Sequence, residues 1–160
     1  MARPRLPVSD YFLAGLTVLI VDRKRLGLKI LKAMLEDFGA GRVLMAESAA
    51  QALDLVKPPA RFPDLVICDW EGLGESGQRL LLQLRARELG LPFVLATRDT
   101  GPATVLLAKR LGVSALMRKP IAHAPLERKL KALVEAMPAR AERRDASAER
   151  KLLGPPEMTV

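Results

Sequence analysis

Cysteine and histidine are nearly absent: Cys68 and His123 are the single examples in 160 residues. One thiol excludes an internal disulfide, and one imidazole beside it leaves no Cys/His cluster of the kind that holds structural zinc. Aromatic residues make up only 4% of the chain, so the core has to be aliphatic. Long apolar runs are missing too. Leu16 to Val21 is too short for a signal-peptide core or a membrane span, and Met1 to Asp10 carries Arg3 and Arg5 with no cleavage-site pattern. These absences lead us to expect a cytoplasmic protein in a reducing compartment, with no membrane segment.

What is present suffices for one packed domain. Hydrophobic residues make up 49% of the chain, and its length suits a single core. The charge balance is basic, with 26 Lys and Arg against 18 Asp and Glu, a formal net charge of +8. That excess favours acidic partners or surfaces. Stacking aromatics are not interleaved with the basic residues, which argues against nucleic acid.

Five short apolar runs, Thr17–Val21, Arg42–Ala46, Asp64–Cys68, Phe93–Ala96 and Val113–Met117, alternate with segments of helical spacing. The runs are mostly continuous, which suits strands buried on both faces of a parallel sheet. Leu26, Ile30, Met34, Leu35 and Phe38 form a helical stripe stopped by Gly39. Ser48 is placed to cap a second helix that ends before Pro58-Pro59. Ser76-Gly77 opens a leucine-rich third helix closed by Gly90. Ala103 to Leu111 gives a fourth, closed by Gly112, and Leu126 to Met137 a fifth, ended by Pro138. Right-handed crossovers then predict an α/β fold: a flavodoxin-like, doubly wound five-stranded parallel sheet of order 2-1-3-4-5 with helices on both faces. The division expected is an N-terminal extension over 1–15, a domain over 16–137 and a tail over 138–160, either a helical extension or disordered.

Sites in such sheets sit at the carboxyl ends of the strands. Asp22, Asp69, Thr97 and Lys119 fall there, at the ends of the first, third, fourth and fifth runs. The segments VLIVDR (18–23), DLVICDW (64–70), FVLAT (93–97) and GVSALMRKP (112–120) resemble the receiver domain of bacterial response regulators, and the resemblance runs from about Leu16 to Met137. It implies that Asp69 accepts a phosphoryl group from a histidine kinase or phosphotransfer protein. It also implies that Asp22, Asp69 and the backbone carbonyl of Glu71 hold Mg2+, that Thr97 and Lys119 bind the phosphoryl oxygens, and that the peptide before Pro120 is cis. The chemistry needs this set, because a carboxylate attacks phosphorus only when the phosphoryl charge is neutralised as it does so.

Four positions depart from the family pattern. Arg23 replaces the second acid of the metal pair. Asp22 and Asp69 then face Arg23 and Lys119, two charges against two, so a divalent cation would leave the pocket doubly positive. Weakened magnesium binding is the expectation, with Arg23 paired to Asp69 or Asp22. Arg98 stands after Thr97 where a small residue is usual, Leu116 where an aromatic switch residue is common, and Leu73 where the loop after the phosphoacceptor usually has proline.

Other residues read more plainly. Cys68 is expected to be a small buried hydrophobe and His123 a surface or capping residue. Trp70 is placed either to line the pocket mouth or simply to pack, and Glu71 either to slow water attack on an acyl phosphate or to be solvated. Lys109, Arg110, Arg118, Arg128, Lys129 and Lys131 fall on the fourth helix, fifth strand and fifth helix, a face suited to an acidic protein partner or a homodimer. The function implied is a single-domain response regulator, not an enzyme, that acts in a phosphorelay through protein-protein contact. The alternative is a pseudo-receiver that binds its partner without phosphorylation.

Overall fold

The structure, a computed structural model, describes residues 11–57 and 62–138. The tail from Ala139, the first ten residues and the Pro58-Pro59 helix stop lie outside the described residues. The strands are β1 (Thr17–Val21), β2 (Arg42–Ala46), β3 (Leu65–Asp69), β4 (Phe93–Thr97) and β5 (Ala115–Arg118). They form one parallel sheet in the order β2-β1-β3-β4-β5, as the alternation of runs predicts. The helices are α1 (Arg25–Asp37), α2 (Ala49–Leu55), α3 (Trp70–Leu73), α4 (Glu75–Arg87), α5 (Pro102–Arg110) and α6 (His123–Glu135).

Strand alternation sends the apolar side chains into two cores. Val18, Ile20, Ile67, Val94 and Met117 pack with Leu28, Leu31 and Leu35 of α1 and Leu126 and Leu130 of α6. Leu19, Val21, Val66, Cys68 and Phe93 face the other way, against Ala52 of α2 and Leu80, Leu81 and Leu84 of α4. Each fully buried aliphatic side chain here contributes about 1.5–3 kcal/mol, and both faces of the sheet are covered, hence the unbroken apolar runs.

Several boundaries differ from the sequence reading. β3 begins at Leu65, because Asp64 is a buried cap whose Oδ2 accepts the Thr17 N–H at 2.8 Å. β4 extends to Thr97, and β5 starts at Ala115, two residues later than the apolar run. The four-residue α3 was not foreseen, and it makes the predicted fourth and fifth helices α5 and α6. Ser76 does not cap α4 but donates its hydroxyl back to the Leu73 carbonyl at 2.5 Å. That helix ends at Arg87 because Glu88, buried, is already extended. On α1 the buried stripe is Leu28, Leu31 and Leu35, while Leu26 and Ile30 are 70% and 50% exposed. The helix has apolar residues on more than one face, and its rotation puts Gly27 against Asp22, where a Cβ would lie 3.0 Å from Oδ2.

Ser48 and Gly39 act as expected. The Ser48 hydroxyl accepts the Gln51 N–H at 3.1 Å, and Gly39, at φ 83°, ends α1 with the Ala40 N–H on the Leu35 carbonyl at 3.0 Å. Residues Tyr11 to Gly15, assigned to the extension from sequence, pack onto the fold. Leu13 is buried in the first core, its N–H reaches the Phe38 carbonyl at 3.1 Å, and the Phe12 and Phe38 rings lie 5.1 Å apart.

Candidate functional site

Parallel register carries the four strand-end residues to one rim. Val21 pairs with Cys68, Asp69 with Ala96 and Thr97 with Arg118, so Asp22, Asp69, Thr97 and Lys119 sit at one level of neighbouring strands. Asp22, Asp69 and Thr97 are all buried. Lys119 is tied to β4 by its N–H on the Thr97 carbonyl, 2.9 Å, and its peptide to Pro120 is cis, as the resemblance implies. From there the side chain crosses the rim. Its Nζ lies 3.0 Å from Asp22 Oδ2 and 3.0 Å from Asp69 Oδ1.

The two contacts differ in kind. The ammonium donates a hydrogen bond to Asp22, whose other oxygen accepts the Lys24 N–H at 2.9 Å. Towards Asp69 the contact is ionic only: Oδ1 is buried with no aligned hydrogen bond. Burial pulls the Lys119 ammonium down, but its hydrogen bond to Asp22 and the nearby charges of Asp69 and Asp22 outweigh it and hold it above the ordinary lysine range.

Thr97 turns away from this trio. Its hydroxyl donates to Glu71 Oε1 at 2.9 Å, and the same oxygen accepts the backbone N–H groups of Arg98 and, at 2.9 Å, Asp99. The Thr97 hydroxyl, then the two backbone groups and the Arg98 charge, hold the Glu71 carboxyl below the usual range against an opposing push from burial. Glu71 is therefore not a solvated loop carboxylate, and its seat on the Thr97 hydroxyl and the two backbone N–H groups is what the sequence reading missed. Its position two residues after Asp69 was the available signal. Asp99 was missed as well: it accepts the Gly101 N–H at 2.9 Å and the Thr104 hydroxyl at 2.7 Å.

The departures from the family pattern lie around this core. Arg23 and Arg98 are exposed on the rim. The cation between the two aspartates is Lys119, so the buried pocket carries two carboxylates against one ammonium. Leu116 is half-buried on β5, and its carbonyl accepts the Lys129 ammonium. Trp70 packs at the edge of the second core. Burial, reinforced by Asp69 and Asp22 and opposed by Lys119, pushes the Cys68 thiol up to about 12. His123 opens α6, with Nε2 3.6 Å from Asp37 Oδ2 and its ring 4.8 Å from that of Phe38.

The donor set fits a hard divalent cation. Asp22 and Asp69 offer adjacent carboxylates, one with an oxygen lacking a hydrogen bond, and magnesium accepts such oxygens while keeping several waters. Among the described residues no three His, Cys, Asp or Glu side chains converge, so the backbone carbonyl of Glu71 and water would complete the sphere. Also among the described residues, no helix is long and apolar enough to cross a membrane.

A doubly wound five-stranded sheet with this rim is the architecture of a receiver domain. The chain belongs to the response regulator receiver domain family, whose sequence model matches residues 18–131. It is 31% identical over 116 residues to the two-component response regulator ARR14 of Arabidopsis thaliana, covering 72% of this chain and 30% of that one. It is 30% identical over 115 residues to a chemotaxis protein CheY homolog of Campylobacter jejuni, covering 71% of this chain and 88% of that one. The structure of the non-phosphorylated HemR receiver domain from Leptospira biflexa superimposes with a TM-score of 0.66 at 26% identity, over 79% of this chain and 99% of that one. The chain thus spans about a third of the first relative and most of the second. It is a receiver domain of the two-component response regulator type, a class of signalling module.

Proposed function

We propose that this chain is a phosphoacceptor receiver of a two-component relay, with Asp69 as the nucleophile and a histidine kinase or phosphotransfer protein as the donor. The observation that carries the reading is Lys119 held 3.0 Å from the buried Asp69 carboxylate. A carboxylate oxygen of Asp69 attacks phosphorus as the bond from phosphorus to the donor breaks, and the donor leaves with that electron pair. The Lys119 ammonium stands where it neutralises phosphoryl charge, and the Thr97 hydroxyl, one strand away, is a donor for a phosphoryl oxygen. Asp22 holds the ammonium in place. Asp22, Asp69 and the Glu71 carbonyl would hold magnesium, which would supply further neutralisation of the phosphoryl oxygens, and the exchange of an acid for Arg23 would lower its affinity.

Output by protein contact goes with this reading. Lys109, Arg110, Arg118, Arg128 and Lys129 are exposed on α5, β5 and α6, a basic face for an acidic partner or a second copy. The match that covers 88% of a chemotaxis relative goes with output by protein contact. The second reading, a phosphorylation-independent binding module, is favoured by Arg23 and by the Glu71 carboxylate already on the Thr97 hydroxyl.

Intact mass after incubation with acetyl phosphate and magnesium tests the choice. One added phosphoryl group, lost in Asp69→Ala, is the result expected of a phosphoacceptor. No adduct on the wild-type chain, with partner binding unchanged in Asp69→Ala, would favour the binding module.

A further inference from the structure

We propose that the Glu71 carboxylate is an internal oxyanion, seated on the donors that a phosphoryl group on Asp69 would use, and that phosphorylation has to displace it. This rests on the reading of Asp69 as the phosphoacceptor.

Three donors converge on one oxygen. Oε1 of Glu71 accepts the Thr97 hydroxyl at 2.9 Å, the Asp99 N–H at 2.9 Å and the Arg98 N–H. A hydroxyl and two consecutive backbone N–H groups aimed at a single anionic oxygen make an oxyanion hole, and here a side chain fills it. The loop does not need Glu71 for its turn. Asp99 already accepts the Gly101 N–H and the Thr104 hydroxyl, and the Asp99 N–H also reaches Thr97 Oγ1 at 3.1 Å. Glu71 comes from α3, whose first residue, Trp70, directly follows Asp69. The crossing from the end of β3 to the end of β4 is one strand spacing of about 4.8 Å, within reach of a glutamate side chain.

The competition follows from proton counting. Thr97 has one hydroxyl hydrogen, so a bond to a phosphoryl oxygen has to be taken from Glu71. The charges work the same way. A phosphoryl group adds about −1.5 to −2 charge at neutral pH, and Glu71 on the same donors would face it as a like charge. On transfer from acetyl phosphate, the Asp69 oxygen bonds to phosphorus and the bond from phosphorus to acetate breaks, acetate leaving with the electron pair. The Thr97 proton stays on Thr97 and turns its hydrogen bond from Glu71 to the phosphoryl oxygen, while Glu71 swings into water. The β4–α5 loop is thus drawn onto the rim before any phosphate arrives, and Glu71 sets the threshold for its arrival.

The test uses the full chain and two readouts, Glu71 being exposed and its replacement harmless to the core. In Glu71→Ala, amide hydrogen exchange at Arg98 and Asp99 should speed up without any phosphodonor. Labelling of Asp69 by acetyl phosphate with magnesium should be about tenfold faster, with Glu71→Gln in between because it keeps an acceptor and loses the charge. Equal exchange in wild type and Glu71→Ala overturns the contact, and equal or slower labelling in Glu71→Ala overturns the competition. No label on either chain overturns the phosphoacceptor reading and the competition with it, whereas faster exchange in Glu71→Ala would still uphold Glu71 as the occupant of the donors.

Discussion

Lys119 is the cation that both pocket carboxylates share, and its side chain is only 17% exposed. Lys119→Met would leave Asp22 and Asp69 facing each other in a mostly buried pocket. Removing one partner of a fully buried ionic set costs about 3–5 kcal/mol, and the partial exposure here brings the expected loss to about 2–3 kcal/mol in urea denaturation. Unchanged stability would mean that the ammonium lies free in solution. Cys68 is expected to resist alkylation in the folded chain and to react on unfolding, because its sulfur is buried beneath α4 and its thiol is pushed up to about 12. At this scale the four rim residues were legible because each follows or ends a β-rich run. The seat of the Glu71 side chain on Thr97 was not, because it depends on a one-turn helix that four residues of sequence barely announce. Arg23 was read as a partner of Asp69 or Asp22; the ammonium of Lys119 lies between those two carboxylates, 3.0 Å from each.

Elements are fixed here by their ends as much as by their faces. Gly39 sits at φ 83°, and a Cβ there would lie 2.7 Å from Tyr11 Cβ. Gly39→Ala should therefore cost more than the roughly 1 kcal/mol usual for a left-handed glycine, and thermal unfolding of the pair reads the loss. Asp99 plays a different part, folding the chain between β4 and α5 through Gly101 and Thr104. Those bonds, the Thr104 hydroxyl first, hold its carboxyl below the ordinary value of 3.8. A depressed carboxylate stabilises above its unfolded value and loses that contribution as pH falls through the folded one. Asp99→Ala should accordingly lower Tm at neutral pH, with the gap from wild type narrowing as pH falls below 3.8. A gap that widens in acid would contradict this. Strand order and the Ser48 and Gly39 ends were readable in the sequence. The rotation of α1 was not, because Leu26 and Ile30 share its helical spacing with Leu28, Leu31 and Leu35, and only packing on the sheet decides between the two sets.

Among the described residues, two aliphatic cores hold a sheet whose rim gathers Asp22, Asp69, Thr97 and Lys119. With Arg23 where an acid usually stands, magnesium titration followed by Trp70 fluorescence should give an affinity of roughly millimolar or weaker, and Arg23→Asp should tighten it about tenfold. Submillimolar binding by the wild-type chain would show that the exposed guanidinium does not reach the pocket electrostatically. The basic total of +8 and the run of basic residues on α5, β5 and α6 were plain from the sequence, and the fold shows Lys109, Arg110, Arg118, Arg128 and Lys129 exposed there. The most direct test of Asp69 as phosphoacceptor is reductive trapping. The full chain is treated with acetyl phosphate and magnesium, reduced with sodium borohydride and digested for peptide sequencing by mass spectrometry. Homoserine at position 69, absent in Asp69→Asn, is the expected result; an intact Asp69 with homoserine elsewhere, or nowhere, would contradict it.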